Sequence, residues 1–395
     1  MPPAPLPLSI YVHLPWCVKK CPYCDFNSHA VRGGLPEKDY MAALIADLNE
    51  ELRRAGGRQV ESIFFGGGTP SLFSAESIER IICAIRERGI LVPDAEITLE
   101  ANPGAVERGR FADYAAAGIN RVSVGVQSFD AGMLTALGRI HSPEETETTL
   151  EELRHAGITN VNLDLMYGLP GQDIASALAD VDRAIEVRPT HISHYQLTIE
   201  PNTLFHARPP VLPDEDLIAD AEIACVERLA AAGFERYEVS AYARDGRVCR
   251  HNLNYWRFGD YLGIGAGAHG KLTQGDPLRV WRRWKLKHPE TYMAAPVPQV
   301  GGETPMDVAQ LGFEFMLNGL RLIAGFHEHD YQARTGSEVG GLRCELKTLE
   351  QEGMMVTDGS GGWRASARGF RFLNDLQTRF LPSVAGVGMP GPGDG

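Results

Sequence analysis

The chain has 395 residues, 44% of them hydrophobic and 23% charged, a composition that excludes a wholly disordered, collagen-like or coiled-coil protein. At ~150 residues per domain this length gives two or three domains, or one barrel-sized domain with an appendage. Lys+Arg of 38 against Asp+Glu of 51 leave a net charge of −13, the wrong sign for neutralising a phosphate backbone, so no nucleic-acid partner is expected.

The start, Met1-Pro2-Pro3-Ala4-Pro5, runs directly into an apolar-alternating segment. It has no basic region, and no apolar stretch is long enough for a signal peptide or a membrane span. A cytoplasmic protein that is not an integral membrane protein is expected. Short β-branched runs then alternate with amphipathic stretches, the signature of parallel βα units. Strands are predicted at 9–13, 59–65, 96–101, 121–126, 160–166, 191–198 and 236–240. Helices are predicted between them at 40–54, 75–88, 144–156, 174–187 and 214–232, the first carrying Leu44, Leu48 and Leu52 at i, i+4, i+8. A closed eight-unit barrel typically takes ~250 residues, so this run of six or seven units, ending near residue 245, leaves a closed or an incomplete barrel open at this point.

From 246 to 303 the sequence turns Gly- and aromatic-rich and loses strand periodicity, which predicts a connecting or cover segment. Residues 304–381 pattern as helix (306–320), helix (342–352) and two short strands (354–357, 362–367). That is a small α+β, winged-helix-like domain. The Gly/Pro-dominated end, 382–395, is predicted to be a disordered tail.

Seven cysteines are too few for a disulfide scaffold, but three fall together as Cys17-x3-Cys21-x2-Cys24, directly after the first strand. A structural zinc site takes four protein ligands, and no fourth ligand stands at zinc spacing downstream. A cubane iron–sulfur cluster normally takes four thiolates. Three thiolates would leave one iron free for an exogenous ligand, with a zinc knuckle as the alternative. Cys83, Cys225, Cys249 and Cys344 are scattered and read as small buried hydrophobes.

The run Tyr11-Val12-His13-Leu14-Pro15-Trp16-Cys17-x3-Cys21-Pro22-Tyr23-Cys24 resembles the cluster loop of radical S-adenosylmethionine proteins. In that family the open iron is chelated by the cosubstrate, and a reduced cluster splits its sulfonium to a 5′-deoxyadenosyl radical. The resemblance implies an α/β fold, an incomplete (β/α)6-type barrel with binding residues at the C-terminal ends of its strands, and a [4Fe–4S] cluster on Cys17, Cys21 and Cys24. After the second strand comes Gly66-Gly67-Gly68-Thr69-Pro70, whose glycines allow close backbone approach, to a ligand or within a tight turn. Glu100 and Asp164 are carboxylates within apolar strands, costly to bury unless paired. They read either as site residues or as internal barrel ion pairs. Carried over residue by residue, the resemblance assigns Tyr11, Gly67, Gly68, Thr69, Glu100, Gln127, Arg139 and Asp164 to S-adenosylmethionine. From its position alone, Arg139 also fits a solvated charge flanking a helix.

The likeness extends over nearly the whole chain and is greatest to the oxygen-independent coproporphyrinogen III oxidases and their sister group, the HemW-type haem chaperones. Further matches are His194-Tyr195-Gln196-Leu197, Tyr237-Glu238-Val239-Ser240 and the Leu262–Ala268 run. The oxidases carry another cysteine two residues beyond the third and a longer segment before the cluster; here Phe26 stands at that position and only 16 residues precede Cys17. The chaperones are marked by C-x3-C-x2-C-x-F and H-N-x-x-Y-W, present as His251-Asn252-Leu253-Asn254-Tyr255-Trp256. Imidazole is a common axial ligand and the two aromatics offer flat faces, so His251, Asn252, Tyr255 and Trp256 are expected to contact haem. The alternative is a segment whose aromatics cap the barrel and whose His is a structural donor. The resemblance therefore implies haem delivery to respiratory or other membrane-associated haem proteins, with transient contact at the membrane surface. The rival is radical decarboxylation of coproporphyrinogen propionates to vinyl groups, and Arg250, Arg257, Arg279, Arg282 and Arg283 would suit either tetrapyrrole.

Overall fold

The computed structural model describes residues 6–104, 109–275 and 278–382. The chain divides into two compact units, one of residues 1–255, 259–273 and 281–304, the other of 256–258, 274–280 and 305–395.

The first unit is built on a twelve-stranded sheet. Its middle is six parallel strands: β1 (Leu8–Leu14), β2 (Val60–Gly67), β3 (Leu91–Ala101), β4 (Arg121–Gln127), β5 (Asn160–Tyr167) and β6 (His191–Gln196), in sequence order across the sheet. Parallel strands are covered on both faces, so their outward positions are apolar: Ile10, Val12, Ile63, Phe65, Leu99, Val122, Val124, Leu163 and Ile192 are all buried. Helices α1 (Glu37–Ala55), α2 (Ala75–Arg86), α3 (Phe111–Ala117), α4 (Pro143–His155) and α5 (Ile174–Glu186) lie between them in sequence. In α1, Leu44, Leu48 and Leu52 are buried, and the helix stops where Gly56 takes a left-handed φ of 67°. Ser142 and Glu145 close a capping box at the start of α4. The sheet forms an incomplete barrel that does not close on itself.

Two expectations are corrected. The stretch 236–240 is not a further parallel strand. The chain forms β7 (Glu235–Arg236) and β8 (Ala241–Ala243), antiparallel to each other, with β8 antiparallel to β6. The turn between them is held by Glu238, whose carboxylate accepts from the Ser240 amide and hydroxyl at 3.0 Å each. The segment 246–303 is also not strand-free. It supplies α6 (Arg250–Trp256) and four strands, β9 (Asp260–Ile264), β10 (His269–Gln274), β11 (Arg279–Lys285) and β12 (Val300–Pro305). Of these, β9 pairs parallel with β1, and β10, β11 and β12 extend the sheet beyond it.

The second unit contains α7 (Val308–Gly319), α8 (Glu328–Thr335) and α9 (Val339–Gln351), then a hairpin of β14 (Met355–Thr357) and β15 (Gly362–Ala365). The two-residue β13 (Phe326–His327) pairs with β15. Three helices and a hairpin is the winged-helix order. Leu311, Phe315, Leu346, Leu349, Met355 and Trp363 form its core. Its α8 escapes sequence patterning because it buries few apolar groups and instead offers Glu328 to the Trp363 indole N–H at 3.0 Å. The tail expected at 382–395 lies, after Pro382, outside the described residues.

Candidate cofactor site

The cysteine loop leaves β1 and folds back on itself. The Cys24 amide donates to the Cys21 carbonyl (3.2 Å), the Lys20 ammonium to the Phe26 carbonyl (2.9 Å), and Trp16–Cys17 pair with His29–Ala30. The glycine run after β2 seats this loop. Gly68 N–H donates to Leu14 O (2.9 Å) and Thr69 N–H to Trp16 O (2.7 Å). A Cβ on Gly68 would stand 2.5 Å from the Trp16 carbonyl oxygen, and one on Gly67, at φ 116°, would enter the His13 ring. The close approach that these two glycines permit is thus first of all to the cluster loop.

Beneath the loop, His13 is fixed in one tautomer. Its Nε2 lies 2.9 Å from the Asn27 carbonyl, which only accepts, so Nε2 carries the proton and Nδ1 accepts from the Tyr11 hydroxyl at 3.0 Å. Burial pushes this imidazole down to about 4. Asn27 in turn donates to the Ala266 and Lys287 carbonyls, and the Tyr40 hydroxyl donates to His13 O.

An open cavity of about 420 Å³ lies against the loop at the C-terminal ends of the six strands. Cys17, Cys21 and Cys24 line it together with Gly67, Gly68, Thr69, Glu100, Gln127, Arg139 and Asp164. Strand register sets its floor, with Glu100 beside Ser123 and Asp164 beside Ser193. Glu100 accepts from the Gly67 amide (3.1 Å), yet burial, reinforced by Asp164, pushes its carboxyl up to about 8. Asp164 accepts from Ser123 Oγ (3.0 Å) and Asn162 Nδ2 (2.8 Å) and is also raised, chiefly by burial. Two carboxylates raised in this way mark a site that favours a cation. Arg139 donates to the Asn102 side chain and the Gly125 carbonyl, both at 2.6 Å, and points Nη1 at Cys21 Sγ (3.7 Å), while its Nε finds no partner. Gln127, at φ 68°, accepts from the Tyr195 hydroxyl at 2.9 Å.

Ten of the eleven residues expected around the cluster and cosubstrate therefore share one cavity. Tyr11 does not line it: its ring lies under Gly66, whose Cβ would be 2.9 Å away, and its hydroxyl is committed to His13. Asn102 and Tyr195 line the cavity without having been assigned to it. Their signal was the inward alternation Ser193, Tyr195 and the Asn at the end of β3. Among the described residues no three His, Cys, Asp or Glu side chains converge on one metal ion. A mononuclear zinc knuckle needs such convergence, whereas a cubane presents separate irons to separate thiolates.

The H-N-x-x-Y-W hexapeptide, expected to contact haem, does not line this cavity. It forms α6, which closes the barrel interior at the N-terminal ends of β1, β2 and β3. His251 is 1% exposed, with Nδ1 3.0 Å from Ser62 Oγ and Nε2 3.0 Å from the Tyr255 hydroxyl. Asn252 and Trp256 are half-buried. Between the two ends runs a polar column from Asp164 through Asn162 and His191 to the Tyr237 hydroxyl. Beside it lies the buried Arg121 guanidinium, whose Nε finds no partner and whose nearby carboxylates are Glu96 and Asp164.

Residues 11–184 match the Radical SAM superfamily. Over 95% of its length the chain is 47% identical to the Heme chaperone HemW of Escherichia coli, covering 98% of that protein. It is 46% identical to the Heme chaperone HemW of Haemophilus influenzae, over 96% of this chain and 99% of that one. The chain belongs to the HemW family of radical S-adenosylmethionine proteins. Among solved structures, coproporphyrinogen III oxidase (HemN) from Escherichia coli superposes with a TM-score of 0.79 at 23% identity, covering 95% of this chain and 90% of that one. At that identity the likeness to HemN concerns the fold. Membership in the HemW family separates this chain from its structural neighbour. No helix among the described residues is long and apolar enough to cross a membrane.

Proposed function

We propose that this HemW-family protein binds haem and passes it to a membrane-associated haem protein, with a [4Fe–4S] cluster on Cys17, Cys21 and Cys24 and S-adenosylmethionine in the adjoining cavity. The observation that carries haem transfer over propionate decarboxylation is Phe26. It stands two residues past Cys24, is 60% exposed, and lines the rim of the cavity. An exposed aromatic at that place gives a flat macrocycle a face and gives a cluster no fourth thiolate.

When bound, the cluster supplies an open iron to chelate the cosubstrate and a source of one electron. The chain's own residues do the holding. Glu100 and Asp164 provide negative charge for a ligand that carries an ammonium and a sulfonium. Arg139, which lines the cavity, provides the positive charge that complements a carboxylate. Gln127, oriented by Tyr195, and Thr69, which accepts from Asn102 at 2.9 Å, complete the polar wall.

The test is anaerobic. Reconstituted protein is titrated with haemin, then mixed with haem-depleted membranes, and the Soret band is followed into the membrane fraction. A parallel incubation with coproporphyrinogen III, S-adenosylmethionine and reductant is analysed by chromatography. Stoichiometric haemin binding, transfer, and no protoporphyrinogen are expected; protoporphyrinogen formed over many turnovers would make the protein an oxidase.

A further inference from the structure

We propose that Asp180 is a positioning residue of the cofactor cavity: from α5 it clamps a strained turn at the end of β4 and so fixes where the Gln127 side chain meets S-adenosylmethionine. The inference rests on the reading above that the cosubstrate occupies this cavity, and it specifies what holds one of its contacts in place.

Gln127 is the last residue of β4 and lines the cavity, yet its φ is 68°. Backbone of that hand suits glycine, and a residue with a long side chain adopts it only where its surroundings over-determine it. The Ser128 amide donates to the Val126 carbonyl at 2.9 Å, closing an i→i+2 turn around Gln127. With positive φ at its centre this is the rarer, strained form of the γ-turn. Glycine at this position would relieve the strain, but it would also remove the group that the turn presents. That group is set for a ligand. The Tyr195 hydroxyl donates to Gln127 Oε1 at 2.9 Å, which leaves the Nε2 hydrogens to donate to a ligand hydroxyl or carboxylate oxygen.

The turn is tied down on both sides of Gln127. After it, Asp180 Oδ2 accepts from the Ser128 hydroxyl and Oδ1 from the Phe129 amide, both at 2.7 Å, and Ser128 Oγ accepts from the Asp130 amide at 3.0 Å. Before it, His141 Nε2 lies 3.1 Å from the Val126 carbonyl, which only accepts, so this nitrogen donates. The two bonds to Asp180 are charge-assisted and form the stronger clamp. The placement of this carboxyl is costly. α5 buries Ala177, Asp180, Val181 and Ala184 along one face, so Asp180 stands where an aliphatic side chain would pack. It is 5% exposed and its bonds are to neutral groups. Burial pushes its carboxyl up to about 6, with Asp130 adding to the rise and the Phe129 and Ser128 bonds opposing it. A charge kept in an apolar stripe, bonded to the two residues that follow a strained Gln, is explained by the turn it holds.

S-adenosylmethionine affinity is measured anaerobically by equilibrium dialysis on the cluster-loaded, full-length protein, with iron analysis and thermal melts on each variant. The set is wild type, Asp180→Ala, Asp180→Asn, Gln127→Ala and the double variant Asp180→Ala/Gln127→Ala. Asp180→Ala and Gln127→Ala should each bind about tenfold more weakly, the scale of one hydrogen bond to a charged group, with iron content unchanged. The double variant should bind no more weakly than the weaker of the two, because both changes remove the same contact. Asp180→Asn, whose amide oxygen can still accept from Phe129, should recover part of the affinity. Should Asp180→Ala fail to fold, Asp180→Asn alone and combined with Gln127→Ala makes the same comparison. Losses that multiply in the double variant, or full affinity in Asp180→Ala, overturn the positioning role. Iron lost in step with affinity also overturns it, since Asp180 would then support the fold in general. A wild type that holds its iron and binds no S-adenosylmethionine overturns the cofactor reading itself.

Discussion

At the scale of single residues, the site rests on a few atoms with no slack. Gly68 is the clearest case, because its missing Cβ leaves room for backbone, which cannot rotate away as a flexible side chain would. Gly68→Ala should destabilise the protein by roughly 1–3 kcal/mol and lower the iron retained after reconstitution, read by urea melts and iron analysis. Full iron content in that variant would mean that the loop can shift without losing its geometry. Glu100 gives a prediction in pH. Its carboxyl titrates near 8 in the folded protein against 4.5 ordinarily. Between those values the folded state keeps a proton that the unfolded state has lost. Stability of the cofactor-free protein should therefore fall as pH rises through that window, by at most about 1.4 kcal/mol per unit, and by less because water in the cavity screens the carboxyl. Affinity for S-adenosylmethionine should move the other way, rising from pH 6.5 to 8.5 as the carboxylate becomes available to a cation. Calorimetric titrations on wild type and Glu100→Gln check this; a flat profile in the wild type would exclude Glu100 from the cationic end of the ligand.

At the scale of elements, β11 shows why part of the fold was hidden. Its inward positions include Arg283 and Lys285, both buried, where a strand beside a core would be expected to show aliphatic residues. Their partners are on α1: Lys285 pairs with Asp47 and, at 2.6 Å, with Glu51, which also takes Arg283 at 2.8 Å. The Tyr292 hydroxyl donates to Asp47 at 2.7 Å. Lys285→Met should cost about 3–5 kcal/mol, because it leaves the buried Asp47 without its cation and Glu51 with Arg283 alone; denaturant melts measure it, and adding Asp47→Asn should recover part of the loss. A cost below about 1 kcal/mol would mean that Arg283 can serve both carboxylates. Strand periodicity cannot reveal such an element, since each charge becomes tolerable only through a partner more than two hundred residues away. The six parallel strands were legible for the opposite reason: their outward faces are apolar whatever they pack against. The cavity was legible because carboxylates inside apolar strands are anomalous in the sequence itself. The seat of α6 was not, because a His and a Tyr one turn apart look the same whether they face a ligand or each other.

At the scale of the whole molecule, fold and charge pull apart. The chain shares its fold with an oxidase, and topology alone does not decide activity. The second unit has the helix order of a winged helix, but over 305–382 it carries eight Lys and Arg against ten Asp and Glu. That near-even balance does not by itself mark it as a phosphate-binding module. The same net charge of −13 bears on the proposed delivery to a membrane. An anionic leaflet repels a protein of that sign, and the repulsion is felt within one Debye length, roughly 30 Å at 10 mM salt and 8 Å at 150 mM. Haem transfer to acceptor membranes rich in phosphatidylserine should consequently be faster at 150 mM salt than at 10 mM, the reverse of a peripheral protein steered by a basic patch. Stopped-flow transfer at the two ionic strengths reads the sign directly. A rate that falls with added salt would show that a local cationic face governs the encounter. Lys19 and Lys20, exposed beside the cluster loop, would then be the first residues to reverse.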